Sequence, residues 1–243
     1  MGSTCELVAS FKAKTVLEVI RRNPPQILVG LPTMMMLLLM HPDSAATDLR
    51  SIRIVITSGS NVDSNSLTQL QRRMPGATVM NLYGLSKASG AIVMTPWECP
   101  DDDLMQSIGT PLKGAELRVV DSAEKDLLCG EIGELHFRGL GVVRDYIGAA
   151  ASSKAFEGGW LRTGDLGLVD ARGFISLKGR MKDMYIQGGF NVYPAEVEAL
   201  IATHPAVVMV AGIGVADKVL GEVVLRDALS LTPAGKIQEA ALR

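Results

Sequence analysis

The chain has 243 residues, 47% of them hydrophobic and 21% charged, with a formal net charge of -2. That charge balance excludes a surface built for nucleic acid or another polyanion, and the apolar share supplies a core for one large domain or two smaller ones. Cys5, Cys99 and Cys129 are scattered and odd in number, and so are His41, His136 and His204, which excludes a disulfide framework or a histidine-rich metal centre and points to a reducing, cytoplasmic setting.

Residues 15–22 read as a short amphipathic helix that stops before Asn23-Pro24-Pro25, because a residue preceding proline resists helical geometry. Residues 26–29 read as a buried strand, and Pro32 opens a helix to about residue 40, since proline is accepted at a first helical position. The whole apolar run 27–40 (ILVGLPTMMMLLLM) is broken by Pro32 and is shorter than the roughly 18 residues of a membrane span. No transmembrane segment is therefore expected. The helix over 34–40 reads as core packing, with the wall of an acyl pocket as the alternative. Residues 52–57 (IRIVIT) and 78–83 read as strands, and 64–74 between them as a helix. Strands alternating with helices predict a parallel α/β layer.

After Gly90 the pattern changes to short β pieces at 116–120, 133–138, 166–170 and 174–177, separated by turns at Gly130, Gly158-Gly159 and Arg172-Gly173. This is a β-rich subdomain. Near Lys182 it changes again, to a strand at 184–186, a turn at Gly188-Gly189, a helix at 194–201 and a strand at 207–213. The expected division is 1–181, with an α/β layer over about 1–90 and a β-rich part over about 91–181, followed by a small α+β unit over 182–243.

Four segments place glycine, hydroxyl and charged residues where strands end, the usual ligand side of an open parallel sheet. Ser58-Gly59-Ser60 is a turn whose glycine lets backbone approach a flat ligand closely. In Tyr83-Gly84-Leu85-Ser86-Lys87 an aromatic ring, a hydroxyl and an ammonium follow a strand. In WLRTGDLG, 160–167, Asp165 sits in an expected turn as an acceptor for ribose hydroxyls or for its own turn backbone. In 179–198, GRMKDMYIQGGFNVYPAEVE, Gly188-Gly189 offers a surface free of side chains, and Glu196 and Glu198 complement a helix amino terminus. Taken singly, these segments reach no further than an α/β nucleotide-binding protein.

Together, in this order and spacing, they resemble the adenylate-forming superfamily and lean toward its acyl-CoA synthetases, and the tail LTPAGKIQEAALR over 231–243 adds to the likeness. The resemblance implies that Ser58, Gly59 and Ser60 flank adenine, that Tyr83 with Gly84 packs beside it, and that Ser86 lies near the phosphates. It implies that Asp165 holds the ribose hydroxyls, that Arg180 reaches ribose or phosphates, and that Lys182 is a hinge. Gly188 and Gly189 would line a pantetheine tunnel, and Lys236 would stabilise charge during adenylation. The implied reaction joins a carboxylate, such as a fatty acid, to ATP as acyl-AMP, then transfers the acyl group to CoA. Magnesium accompanies the nucleotide. Three departures accompany the likeness. A Ser/Thr/Gly phosphate loop ending in lysine has no counterpart, so Met1 is expected to lie inside a longer parent. Lys87 stands where the family pattern has a magnesium-holding glutamate. Little chain separates Gly221-Glu222-Val223 from the tail. The expectation is a chain with weak or no ligase activity by itself. The alternatives are a non-catalytic AMP or acyl binder, a remnant that self-associates or needs a partner chain, and a domain that loads a carrier protein.

Overall fold

The computed structural model describes residues 2–59, 62, 64–144, 155–187, 190–204, 206–207 and 210–214. Helix α1 (Ala13–Arg22) buries Leu17 and Ile20, spaced three apart so that they share one face. Strand β1 (Ile27–Gly30) follows, then α2 (Pro32–Met40), which starts at Pro32 and buries Met35 and Leu38 at the same spacing. Strand β2 (Ile54–Ser58), helix α3 (Ser64–Arg73) and strand β3 (Thr78–Leu85) complete a parallel layer in which β1 pairs with β2 and β2 with β3. Leu17, Ile20, Met35, Leu38, Val55, Leu67 and Leu70 form its core between the helices and one sheet face. Ile27 and Val29, on the other face of edge strand β1, are 51% and 65% exposed.

The change of pattern after Gly90 is not a change of sheet. Strands β4 (Gly90–Met94) and β5 (Thr110–Pro111) add to the first sheet antiparallel, giving the order β1-β2-β3-β4-β5. Between them lies α4 (Asp101–Gln106), which begins after Pro100 with three aspartates in its first turn, where carboxylates meet the positive end of the helix dipole. Asn81 ties these parts together inside the protein. Its amide oxygen accepts from Thr57 Oγ1 at 2.9 Å, and its Nδ2 donates to the carbonyls of Leu104 at 2.6 Å and Ser107 at 2.9 Å.

The second sheet is antiparallel, in the order β6 (Ala115–Val120), β7 (Gly133–Gly139), β8 (Leu161–Val169) and β9 (Ile175–Arg180). Val119, Leu135, Phe137, Leu161 and Ile175 pack with Tyr83, Ile92, Val93 and Ile108 of the first layer as one core. The junction is fastened by backbone bonds from Ile108 N to Ile175 O and from Ile175 N to Gly109 O, each 2.9 Å. Gly109 has φ +97°, and a Cβ there would lie 2.2 Å from the Met94 carbonyl, so only glycine fits. Arg172, in the β8–β9 turn, grips Asp103 of α4 through both terminal nitrogens at 2.9 and 2.7 Å.

Beyond β9, hairpin β10 (Tyr185–Gln187) and β11 (Phe190–Val192) leads to α5 (Pro194–Ile201). Glu196, in the first turn of α5, also pairs with Lys178 of β9 at 2.7 Å. The strand expected over 207–213 has no strand geometry among its described residues.

Candidate active site

Asp165 is the centre of the arrangement. It is 6% exposed, and its Oδ2 accepts a hydrogen bond from the Tyr83 hydroxyl at 2.5 Å. Its Oδ1 faces Arg180 Nε at 3.2 Å, across the Asp165–Arg180 register pair of β8 and β9. Tyr83, Asp165 and Arg180, drawn from three strands, thus meet as an ordered set. The Asp165 side chain is 8% exposed and the Arg180 side chain 55% exposed, so the set runs from the interior to the surface.

The sequence reading placed Asp165 in a turn. The structure corrects this: β8 runs without interruption from Leu161 to Val169 and carries a bulge. Between the pairs Glu134–Leu166 and His136–Arg162, Leu135 alone on β7 faces Thr163, Gly164 and Asp165 on β8. A bulge breaks the ladder and re-aims a side chain. Gly164 takes φ +76°, a conformation that suits glycine. Side chains take up the freed backbone groups. Gly164 N donates to Glu134 Oε1 at 2.9 Å, Asp165 N donates to Thr163 Oγ1 at 3.0 Å, and Thr163 Oγ1 donates to the Leu135 carbonyl at 2.7 Å. The Gly164 carbonyl accepts from Met181 N at 2.9 Å.

The second oxygen of Glu134 lies 3.0 Å from Nε2 of fully buried His136, whose Nδ1 lies 3.3 Å from Arg118. Arginine only donates, so Nδ1 accepts and the ring proton sits on Nε2, donated to Glu134. Burial alone would raise the Glu134 carboxyl, but the bonds from His136 and Gly164 and the nearby Arg162 charge outweigh it and hold the group below its usual range. Burial, followed by the Asp165 charge, pushes the Tyr83 hydroxyl far above its ordinary value, so it remains a donor. Neither Glu134 nor Thr163 stood out in the sequence, because what brings them together is the pairing of β7 with β8.

The remaining expected residues fall around this centre. Ser58 ends β2 and Gly59 follows with φ +96°. The Tyr83 ring is itself largely buried, tilted at 33° against Phe137 with centroids 6.0 Å apart. Gly84 sits at a register shift against β4, where a Cβ would lie 2.1 Å from the Gly90 carbonyl. Ser86 is exposed and starts the short 3-10 turn Ser86–Ala88, which also holds Lys87. The Lys182 side chain is 72% exposed between β9 and β10, 3.9 Å from Asp183. Ser60, Gly188, Gly189 and Lys236 lie outside the described residues.

A carboxylate has about four acceptor positions. Tyr83 and Arg180 occupy two on Asp165. Among the described residues no group of three or more His, Cys, Asp or Glu side chains is placed to hold a metal ion. Among the described residues no helix is long and apolar enough to cross a membrane.

A family model described as "AMP-binding enzyme" matches residues 1–147. The chain belongs to the AMP-binding enzyme family. This family member is 35% identical over 226 residues to the 3-[(3aS,4S,7aS)-7a-methyl-1,5-dioxo-octahydro-1H-inden-4-yl]propanoyl:CoA ligase of Rhodococcus jostii (strain RHA1), covering 91% of this chain and 41% of that protein. It is 34% identical over 224 residues to the medium/long-chain-fatty-acid–CoA ligase FadD8 of Mycobacterium tuberculosis (strain ATCC 25618 / H37Rv), covering 92% of this chain and 39% of that one. The chain therefore spans about two-fifths of the length of these curated relatives. Among solved structures it superposes on the anthranilate CoA ligase AuaEII in complex with anthranoyl-AMP, with a TM-score of 0.85 at 26% identity, covering 95% of this chain and 50% of that one. The α/β class and the adenylate-forming, AMP-binding family expected from the motifs are thereby established.

Proposed function

We propose that the Tyr83–Asp165–Arg180 set is the adenosine-binding end of an ATP-dependent acyl-CoA synthetase site. The observation that carries this reading is the buried Asp165 carboxylate, fixed by Tyr83 at 2.5 Å and Arg180 at 3.2 Å. Two acceptor positions remain, matching the cis-diol of a ribose. Ser58 and Gly59, with Ser60, would flank the base. Tyr83 would meet it by an edge and hold the acid, and Ser86 and Lys87 would lie toward the phosphates. A bound magnesium ion would supply charge neutralisation at the α-phosphate; that ion is usually held by substrate phosphates, waters and one or two carboxylates, and Lys87 supplies no carboxylate.

In the proposed reaction a carboxylate oxygen bonds to the α-phosphorus of ATP and pyrophosphate leaves. The CoA thiol then displaces AMP from the acyl carbonyl. Lys236 would act electrostatically in the first step, and Gly188-Gly189 would line the thiol's path. The division at 181/182, with Lys182 as hinge, belongs to the same proposal. It is supported by the exposed position of Lys182 between β9 and β10 and by the usefulness of a hinge in presenting different groups at two steps. The substrate class is a fatty acid, as named for the relative FadD8, and the chain's own turnover is slow or nil because Lys87 offers no metal ligand. Thioester formation from ATP, CoA and a panel of fatty acids tests this. Turnover at ordinary synthetase rates refutes the weak-activity part, and failure to bind AMP refutes the site.

A second reading, self-association, draws on Ile27 and Val29, exposed on the outer face of β1, since an exposed apolar face invites association. Light scattering of the isolated chain decides it: a monomer at micromolar concentration removes this reading.

A further inference from the structure

We propose that Glu134 is a positioning residue for Asp165, acting through the bulge of β8 rather than on the nucleotide. The inference rests on the reading of Asp165 as the ribose acid. Three observations converge on it. The bulge takes Gly164 out of the β7–β8 ladder, so its N–H needs another partner, and Glu134 Oε1 accepts it at 2.9 Å. The Gly164 carbonyl on the other side is held by Met181 N at 2.9 Å, next to Arg180. Glu134 is itself fixed, because Oε2 accepts from buried His136 at 3.0 Å and Arg118 occupies the far side of that ring.

The result is a chain of side chains from Arg118 through His136 and Glu134 to Gly164, the residue directly before Asp165. The backbone at Gly164 determines where the next Cα–Cβ bond points. A glycine has a wide choice of backbone conformations, so an outside clamp is needed to hold one. Glu134 supplies it on the amide side and Met181 on the carbonyl side. Thr163 adds a local clamp on the Asp165 N–H. Without Glu134 the bulge keeps its residues but loses the bond that fixes its direction, and the carboxylate no longer meets both ribose hydroxyls.

Isothermal titration calorimetry with AMP and 2′-deoxy-AMP tests this on the full chain and on Glu134→Ala, Glu134→Gln and Asp165→Asn, alongside amide hydrogen exchange at Gly164. The wild type is expected to prefer AMP, and Asp165→Asn to abolish the preference. Glu134→Ala is expected to cut the preference about tenfold, the scale of one hydrogen bond, while affinity for 2′-deoxy-AMP changes little. General loosening would weaken both nucleotides alike. Glu134→Gln, which retains one oxygen for Gly164, is expected to fall between, and it carries the comparison if the alanine variant does not fold. Gly164 exchange in the free protein is expected to speed up about tenfold in Glu134→Ala. Wild-type discrimination together with unchanged Gly164 exchange in the Glu134 variants overturns the proposal. A wild type that binds both nucleotides equally overturns the ribose reading instead, and unchanged Gly164 exchange then still overturns the clamp.

Discussion

Replacing Asp165 by asparagine removes the charge and almost none of the volume. The native carboxylate takes the Tyr83 hydroxyl on Oδ2 and faces Arg180 on Oδ1, leaving two acceptor positions for ribose. Asparagine retains one oxygen, which stays with Tyr83, and turns an amide donor toward the guanidinium and the ligand. A hydrogen bond to a charged group contributes about 1.5–3 kcal/mol. Two are affected, and the amide recovers part by donating to a hydroxyl oxygen. The expected loss is about 3 kcal/mol, or roughly 100-fold in Kd for AMP. The Arg180 partner adds little, because its side chain is 55% exposed and exposed pairs contribute about 1 kcal/mol or less. Calorimetry reads the affinity, and a melting curve shows that the fold survives. Folded Asp165→Asn protein that binds AMP within about threefold of wild type, on the scale where 1.4 kcal/mol is tenfold, refutes the reasoning.

Phe137→Ala empties the centre of the second core, where the ring is fully buried against Tyr83. Urea unfolding should show a loss of about 3–5 kcal/mol. Alkaline titration of the four tyrosines should leave Tyr83 un-ionised while the protein is folded. Its hydroxyl is raised in the folded state, by burial first and the Asp165 charge second, so the stability it contributes is full below the ordinary tyrosine pKa of about 10 and declines as pH rises above that; stability that stays level above this pH contradicts the burial of Tyr83 beside Asp165. Arg172→Ala removes the grip on Asp103, and because the arginine side chain is 60% exposed the loss of stability should be small, with coupling to Asp103→Ala in a double-mutant cycle.

Legibility in the sequence followed punctuation. Pro32 and Pro194 mark the starts of α2 and α5, and both helices run over the expected residues. The parallel strands β1 to β3 stand out because both their faces are largely apolar. The strands β4 and β5 did not, because five- and two-residue strands carry too little pattern to separate from loop. Helix α4 carries a start signal, Pro100 followed by three aspartates, but has only six residues and so little periodicity. The Thr163-Gly164-Asp165 run has the composition of a turn, and what makes it a strand bulge is a side chain on another strand, Glu134, reached only through pairing of β7 with β8. Asn81 is similar: its partners Thr57, Leu104 and Ser107 come from separate elements, so no local window contains the network. Asp165 and Arg180 are each named by the family likeness, whereas their pairing with one another needed the β8–β9 register.

A crystal structure of the chain with AMP bears most directly on the proposed site. The account predicts both ribose hydroxyls within hydrogen-bonding distance of the Asp165 carboxylate, with Tyr83 and Arg180 still on that carboxylate. Ribose bound elsewhere, with Asp165 still enclosed by Tyr83 and Arg180 alone, would contradict it.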